Sequence, residues 1–236
     1  VNPKRSYHYF KFQFNEAGNF LSLFNPLLPK NSATGKHSIW STPFSQYVRG
    51  EFTAGKTWVF GKNDRQAIAT RFLAGAGLAY ANSSALPYEQ QFYSGGANSL
   101  RGWQARNVGP GTSPRDTVFS IPSQTGDMKF EVNAEYRFGM FWKINGAVFV
   151  DAGNVWNFKN KNTDAEDIIN MNNFLEGIAA NWGVGLRLDL NFILLRFDMG
   201  MVFRDPSRES GHRWVGPSGW LKRYGYAVHF GVGYPF

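Results

Sequence analysis

Met128-Lys129-Phe130-Glu131-Val132-Asn133-Ala134-Glu135-Tyr136-Arg137-Phe138 alternates without a break. Met128, Phe130, Val132, Ala134, Tyr136 and Phe138 fall on one side, and Lys129, Glu131, Asn133, Glu135 and Arg137 on the other. Successive side chains of an extended strand point to opposite faces, so this period of two predicts a β-strand with one apolar and one charged face. Working outward, the same writing recurs until eight strands are predicted. Before it lie 6–15 (His8, Phe10, Phe12, Phe14 against Tyr7, Tyr9, Lys11, Gln13), 44–58 (Phe44, Val48, Phe52, Ala54, Trp58 against Tyr47, Arg49, Glu51, Thr53) and 68–80 (Ile68, Phe72, Ala74, Ala76, Leu78, Tyr80 against Arg71, Gly75, Gly77). After it lie 144–156 (Ile144, Val148, Val150, Trp156 against Asn145, Ala147, Phe149, Asp151, Gly153), 182–190 (Trp182 to Leu190 against Gly183, Gly185, Arg187, Asp189) and 193–204 (Leu195, Phe197, Met199 against Arg196, Asp198, Gly200). The last, 224–236, sets Tyr224, Tyr226, Val228, Phe230, Val232, Tyr234 and Phe236 against Gly225, Ala227, His229, Gly231 and Gly233.

Alternation alone does not separate a soluble sandwich from a membrane barrel. The connections do. They run long, short, long, short, long, short, long, at 16–43, 59–65, 81–127, 139–143, 157–179, 191–192 and 205–223. Tight turns alternating with long polar loops are the pattern of a transmembrane β-barrel, turns on the periplasmic side and loops outside. The strands reach or exceed the ~9–11 residues that cross a bilayer at a tilt. Tyr80, Tyr136, Trp156, Trp182, Tyr224 and Tyr234 stand near strand ends, as interfacial girdles do. One short helix is expected within 16–43, and one helical turn within 157–179, beside Lys159-Asn160-Lys161-Asn162.

Composition agrees. Among 236 residues there are 22 Phe, 10 Tyr, 8 Trp and 26 Gly, more aromatic surface than a water-facing domain needs. The mean hydropathy is −0.35, and no run approaches the ~18 apolar residues of a membrane-spanning helix. The formal charge of +8 suits anionic lipid headgroups, and lacks the clustering with stacking aromatics of a nucleic-acid binder. There is no cysteine, hence no disulfide framework and no thiolate metal site. His8, His37, His212 and His229 form no ligand spacing, and no nucleophile elbow or phosphate loop is present, so no metal, cofactor or enzymatic chemistry is expected. The absence of an initiator Met and of a signal peptide reads as a mature or internal piece of a longer protein.

One loop is not written in disposable residues. Within 81–126 stands Gln91-Phe92-Tyr93-Ser94-Gly95-Gly96-Ala97-Asn98-Ser99-Leu100-Arg101-Gly102-Trp103. Gly95-Gly96 permits a backbone closed to other residues, and Phe92 and Trp103 are anchors for a packed loop. Arg101 carries a permanent charge whose fork fits a carboxylate, so an inward-folded loop requires an acid to receive it. On these residues alone a surface loop with an incidental arginine stays open. Glu131, Glu135, Arg137, Arg187, Asp189, Arg196 and Asp198 read as wall charges paired across strands. Asp151 stands apart as the only acid on its strand. The final residues place polar His229, then Gly231, then Tyr234 and Phe236 at alternate positions, matching the targeting pattern of bacterial outer-membrane barrels.

Phe92 with Gly95-Gly96, Leu100-Arg101-Gly102-Trp103, Ala134-Glu135-Tyr136-Arg137-Phe138 and Phe149-Val150-Asp151-Ala152-Gly153 occur in an order and spacing that resembles the BamA/TamA superfamily of outer-membrane assembly factors, its TamL-like branch included. The resemblance implies strands nine to sixteen of a 16-stranded barrel, residues 1–236 forming its C-terminal half, with the first half and the periplasmic domains outside this chain. It implies that Arg101 reaches into the lumen toward Asp151 and Glu135, with Glu131 nearby, and that the barrel opens laterally at a seam beside the last strand. It also implies a Gram-negative outer-membrane location and three kinds of partner: lipid or lipopolysaccharide, unfolded client outer-membrane proteins, and periplasmic or inner-membrane subunits. A two-partner-type secretion pore shares the loop motif and stands as the alternative, beside a passive channel and, further off, a lipase fused to such a barrel.

Overall fold

The computed structural model describes residues 5–32, 34–115, 124–158, 164–169 and 174–236. It is all-β. Eight strands carry it: β1 (Tyr7–Ala17), β2 (Tyr47–Phe60), β3 (Gln66–Ala79), β4 (Met128–Gly139), β5 (Ile144–Trp156), β6 (Ala179–Asp189), β7 (Leu194–Arg204) and β8 (Tyr226–Val232). They form one sheet in sequence order, every neighbour antiparallel. The sheet is open: among the described residues β1 and β8 each pair on one side only.

The alternation decides which face is which. Phe10, Phe12, Phe52, Phe72, Val132, Val150, Val184, Leu186, Phe197 and Phe230 point outward and are exposed, while Glu131, Asn133, Glu135, Arg137, Asp151, Arg187, Arg196 and Asp198 point inward and are buried. That inverts a soluble protein. The described parts of the loop, 80–115 and 124–127, cover the inner face: Phe92 and Gly126 bridge in antiparallel fashion, and so do Ser94 and Val108. Helices are minor, at Asn19–Ser22, Phe174–Gly177 and Pro217–Trp220, the first two where short helical turns were expected. No helix among the described residues is long and apolar enough to cross a membrane.

Several details differ from the sequence reading. Phe44 lies outside β2, because Thr42–Pro43 folds back onto Ser38–Ile39 as a small ladder. Trp156, expected on the outer girdle, is buried, stacked on Phe174 with ring centroids 5.2 Å apart. Past Ala152 the loops cover both sides of β5, so its period-two pattern no longer reports a face. The last strand stops at Val232. Gly233 takes φ +81, a left-handed turn that ends the ladder, so Tyr234 and Phe236 leave the outer face and turn onto the inner one. Leu195, on the apolar face of the predicted strand 193–204, is the second residue of β7 and stands close to the tight turn. The basic stretch Lys159-Asn160-Lys161-Asn162 lies outside the described residues.

Candidate functional site

Register builds the site before any side chain does. Asn133 pairs with Asp151, and Asp151 with Asn181, so three polar residues stand in a row across β4, β5 and β6. The adjacent row is Glu135, Phe149, Gly183, Gly200 and Ala227, a carboxylate and a ring followed by three very small residues. The small residues leave a slot along the inner wall, and the Arg101-Gly102 backbone occupies it. A Cβ on Gly200 would collide with the Arg101 carbonyl, and one on Gly102 would meet Asn181 Cβ at 2.6 Å.

The loop is shaped to reach that slot. Gly95 (φ +94) and Gly96 (φ +98) both lie in the left-handed region. They close a compact turn in which the Gly96 N–H donates to the Trp103 carbonyl at 2.8 Å and the Ser99 N–H to the Gly96 carbonyl at 3.1 Å. Leu100 and Trp103, either side of the Arg-Gly pair, sink into an apolar cluster with Val108, Ala179, Val202 and Val215. The apolar anchors bracket the charge and fix its height.

Arg101 is fully buried. Its Nε donates to Asp151 Oδ2 at 3.0 Å and its Nη2 to Asp151 Oδ1 at 2.9 Å, a two-pronged pair, while its own backbone N–H donates to Oδ2 at 3.1 Å. Its Nη1 donates to Glu135. Asn133 and Asn181 each donate a side-chain N–H to Asp151, at 2.9 and 3.0 Å. Five donors therefore converge on one carboxylate, which is how a buried charge is made tolerable. The network continues: Glu135 also accepts from Arg137 Nε at 2.8 Å and Arg187 Nη2 at 3.2 Å, and Asp198 accepts from Arg187 Nη1 at 2.6 Å.

Glu131 has a different task from its neighbours. It accepts from the Ser94 hydroxyl at 2.7 Å and from the Ser99 hydroxyl, and pairs with Lys129 at 3.0 Å, so it holds the body of the loop and not Arg101. His229 is buried on β8 against the loop backbone at Arg101 and Trp103. Gly231 lies beneath the Arg196 guanidinium. Tyr234 faces Arg137 at 4.1 Å, and Phe236 faces Arg71 at 5.0 Å. Burial pushes the Tyr234 phenol up to about 12, so it meets Arg137 as a neutral ring. Ser94, Ser99, Asn133 and Phe149 stand in the stretches read above without being assigned to the site, and Asn181 is absent from them. The row Asn133, Asp151, Asn181 becomes visible only once the register of β4, β5 and β6 is known. Among the described residues no group of acids and histidines is arranged to hold a metal ion.

An antiparallel sheet with an apolar exterior, a charged interior and its longest loop seated on that interior is a portion of a membrane β-barrel. The family model of the Omp85 superfamily domain matches residues 31–236, and the chain belongs to that superfamily. Over 131 residues it is 28% identical to the outer membrane protein assembly factor BamA of Neisseria meningitidis serogroup B (strain ATCC BAA-335 / MC58), covering 53% of this chain and 16% of that protein. The crystal structure of BamA from Haemophilus ducreyi lacking POTRA domains 1-3 aligns with a TM-score of 0.48 and 16% identity, over 90% of this chain and 50% of that one. The chain thus spans half or less of the length of these relatives.

Proposed function

We propose that this chain is the part of an outer-membrane barrel that assembles or translocates other outer-membrane proteins, with the short strand β8 as the place where a client strand is received. The observation that carries the reading is the end of the sheet. β8 pairs with β7 over only Tyr226–Val232 before Gly233 turns the backbone left-handed, so the edge it can offer to a neighbouring strand is short. Such an edge is a template for strand addition. The loop clamp is complementary. A passive channel has no need of a loop locked to its inner wall, whereas here a loop covers the wall and is tied down at Arg101. In this role Arg101, Asp151 and Glu135 keep the loop seated while the seam opens, and Gly233 keeps the β8 ladder short. The partners that follow are unfolded outer-membrane clients, lipid of the outer membrane, and subunits on the periplasmic side.

Site-specific photocrosslinking tests this. A crosslinker placed at Val228 or Phe230 in the full-length protein should trap an outer-membrane protein during its assembly, while one at Val184, mid-sheet, should not. Equal capture at all three positions, or a steady ion conductance with no captured client, would contradict the seam reading.

A further inference from the structure

The outer face is apolar along almost every strand, and one place breaks it. Among the described residues, Lys56 is the only permanently charged side chain on that face away from the strand ends, and it stands directly opposite His8 of β1. Thr70 of β3 is its other neighbour. Among the described residues no acid pairs with Lys56. Its ammonium instead lies 4.8 Å over the ring of Trp58, two residues nearer the tight turn, so the side chain leans toward that end of the strand. The strand end, Phe60, lies four positions beyond Lys56, which is ~13 Å along the strand and about 10 Å of height at the usual tilt. The charge is therefore below mid-membrane and within reach of the headgroups on the turn side.

Directly above it the wall is hollow. The next row reads Phe10, Ala54, Phe72, Val132 across β1 to β4. Ala54 is small between two large rings, and the result is a notch of about 460 Å³ lined by Phe10, Ala54, Phe72 and Val132 above and His8, Lys56 and Thr70 below. Phe52 stands one row further up, its ring 6.3 Å from Phe10 and 6.4 Å from Phe72. An apolar recess over an unpaired cation and a second N–H donor has the polarity of a lipid, tail upward and phosphate downward.

We propose that this notch binds one anionic glycerophospholipid of the turn-side leaflet, its phosphate on Lys56 and His8 and one acyl chain over Ala54. The site rests on the membrane-barrel reading but not on the seam or the loop clamp. A net-negative headgroup is favoured over a zwitterionic one because the latter brings its own cation to a place that has no acid.

Native mass spectrometry of the full-length protein in detergent, titrated with phosphatidylglycerol and phosphatidylcholine, tests it. One phosphatidylglycerol should be retained in preference to phosphatidylcholine. Lys56→Gln should weaken retention by at least about tenfold, the worth of one charge-assisted hydrogen bond. Ala54→Leu, which fills the notch and leaves the charge, should do likewise, whereas Lys62→Gln in the exposed turn should change nothing. Undiminished phosphatidylglycerol retention in Lys56→Gln overturns the proposal, as does displacement of the lipid by inorganic phosphate. Loss in Ala54→Leu alone would show an acyl or detergent recess without a headgroup site and overturns it too. Insertion into liposomes, followed separately by heat-modifiable migration, distinguishes these results from failure of the membrane reading: a chain that does not insert removes both.

Discussion

The central carbon of the Arg101 guanidinium lies 3.5 Å over the centroid of the Phe149 ring, while its nitrogens donate to Asp151 and Glu135. The planar cation thus uses its rim for carboxylates and its face for an aromatic, an arrangement a lysine could not copy. Phe149→Leu keeps bulk and removes the ring face. It should cost about 2 kcal/mol in urea unfolding, the size of a desolvated cation–π contact. A loss no larger than that of an outer-face Phe→Leu, such as at Phe197, would show that the stacking contributes little.

Arg101→Lys should behave almost as badly as Arg101→Ala. Lysine has no fork to span both oxygens of Asp151 while also reaching Glu135. Either change leaves buried carboxylates short of a partner, a cost of roughly 3–5 kcal/mol. Limited proteolysis within 81–115 reports the outcome: both variants should be cleaved there, and full protection of Arg101→Lys would count against the two-pronged geometry.

Gly200→Ala should disturb the loop from the opposite side. The new methyl would strike the Arg101 carbonyl, whereas at Gly50 a Cβ meets nothing within 4 Å. Overpacking of this kind costs about 1–3 kcal/mol. Gly200→Ala should therefore expose the loop to protease while Gly50→Ala remains unaffected.

Depth on the outer face gives a further check. Val184 sits at the middle of β6 and points outward; Leu195 points outward close to the tight turn. Val184→Arg should cost ~2–4 kcal/mol and Leu195→Arg only ~0–1, because a charge near the interface reaches water. Equal penalties would mean that the strands do not cross a bilayer at the height assigned.

Much of this architecture is legible in the residues because a wall that meets lipid on one face and a charged interior on the other must alternate strictly. The eight strands and the alternation of turns and loops follow from that constraint, and so does the inward face of Glu135 and Asp151. Three things escape it. Where a loop covers both sides of a strand, as at Trp156, period two stops meaning inside and outside. Where one residue turns the backbone left-handed, as at Gly233, alternation continues on paper while the chain leaves the sheet. Contacts set by register, such as Asn133 and Asn181 on Asp151, depend on strand offsets that no single segment encodes. The glycines were a readable hint: Gly183 and Gly200 sit on the charged face of strands that otherwise fill it, and empty space on a wall is space for something else.

The central claim is that the loop is held on the inner wall by Arg101 acting on Asp151. A double-mutant cycle of Arg101→Ala and Asp151→Ala, read as urea-unfolding free energies of the full-length protein, tests it most directly. Either single change should destabilise strongly, and the double change should cost little more than either alone, because the partner left behind has already lost its reason to be buried. Strict additivity of the two single losses would contradict it.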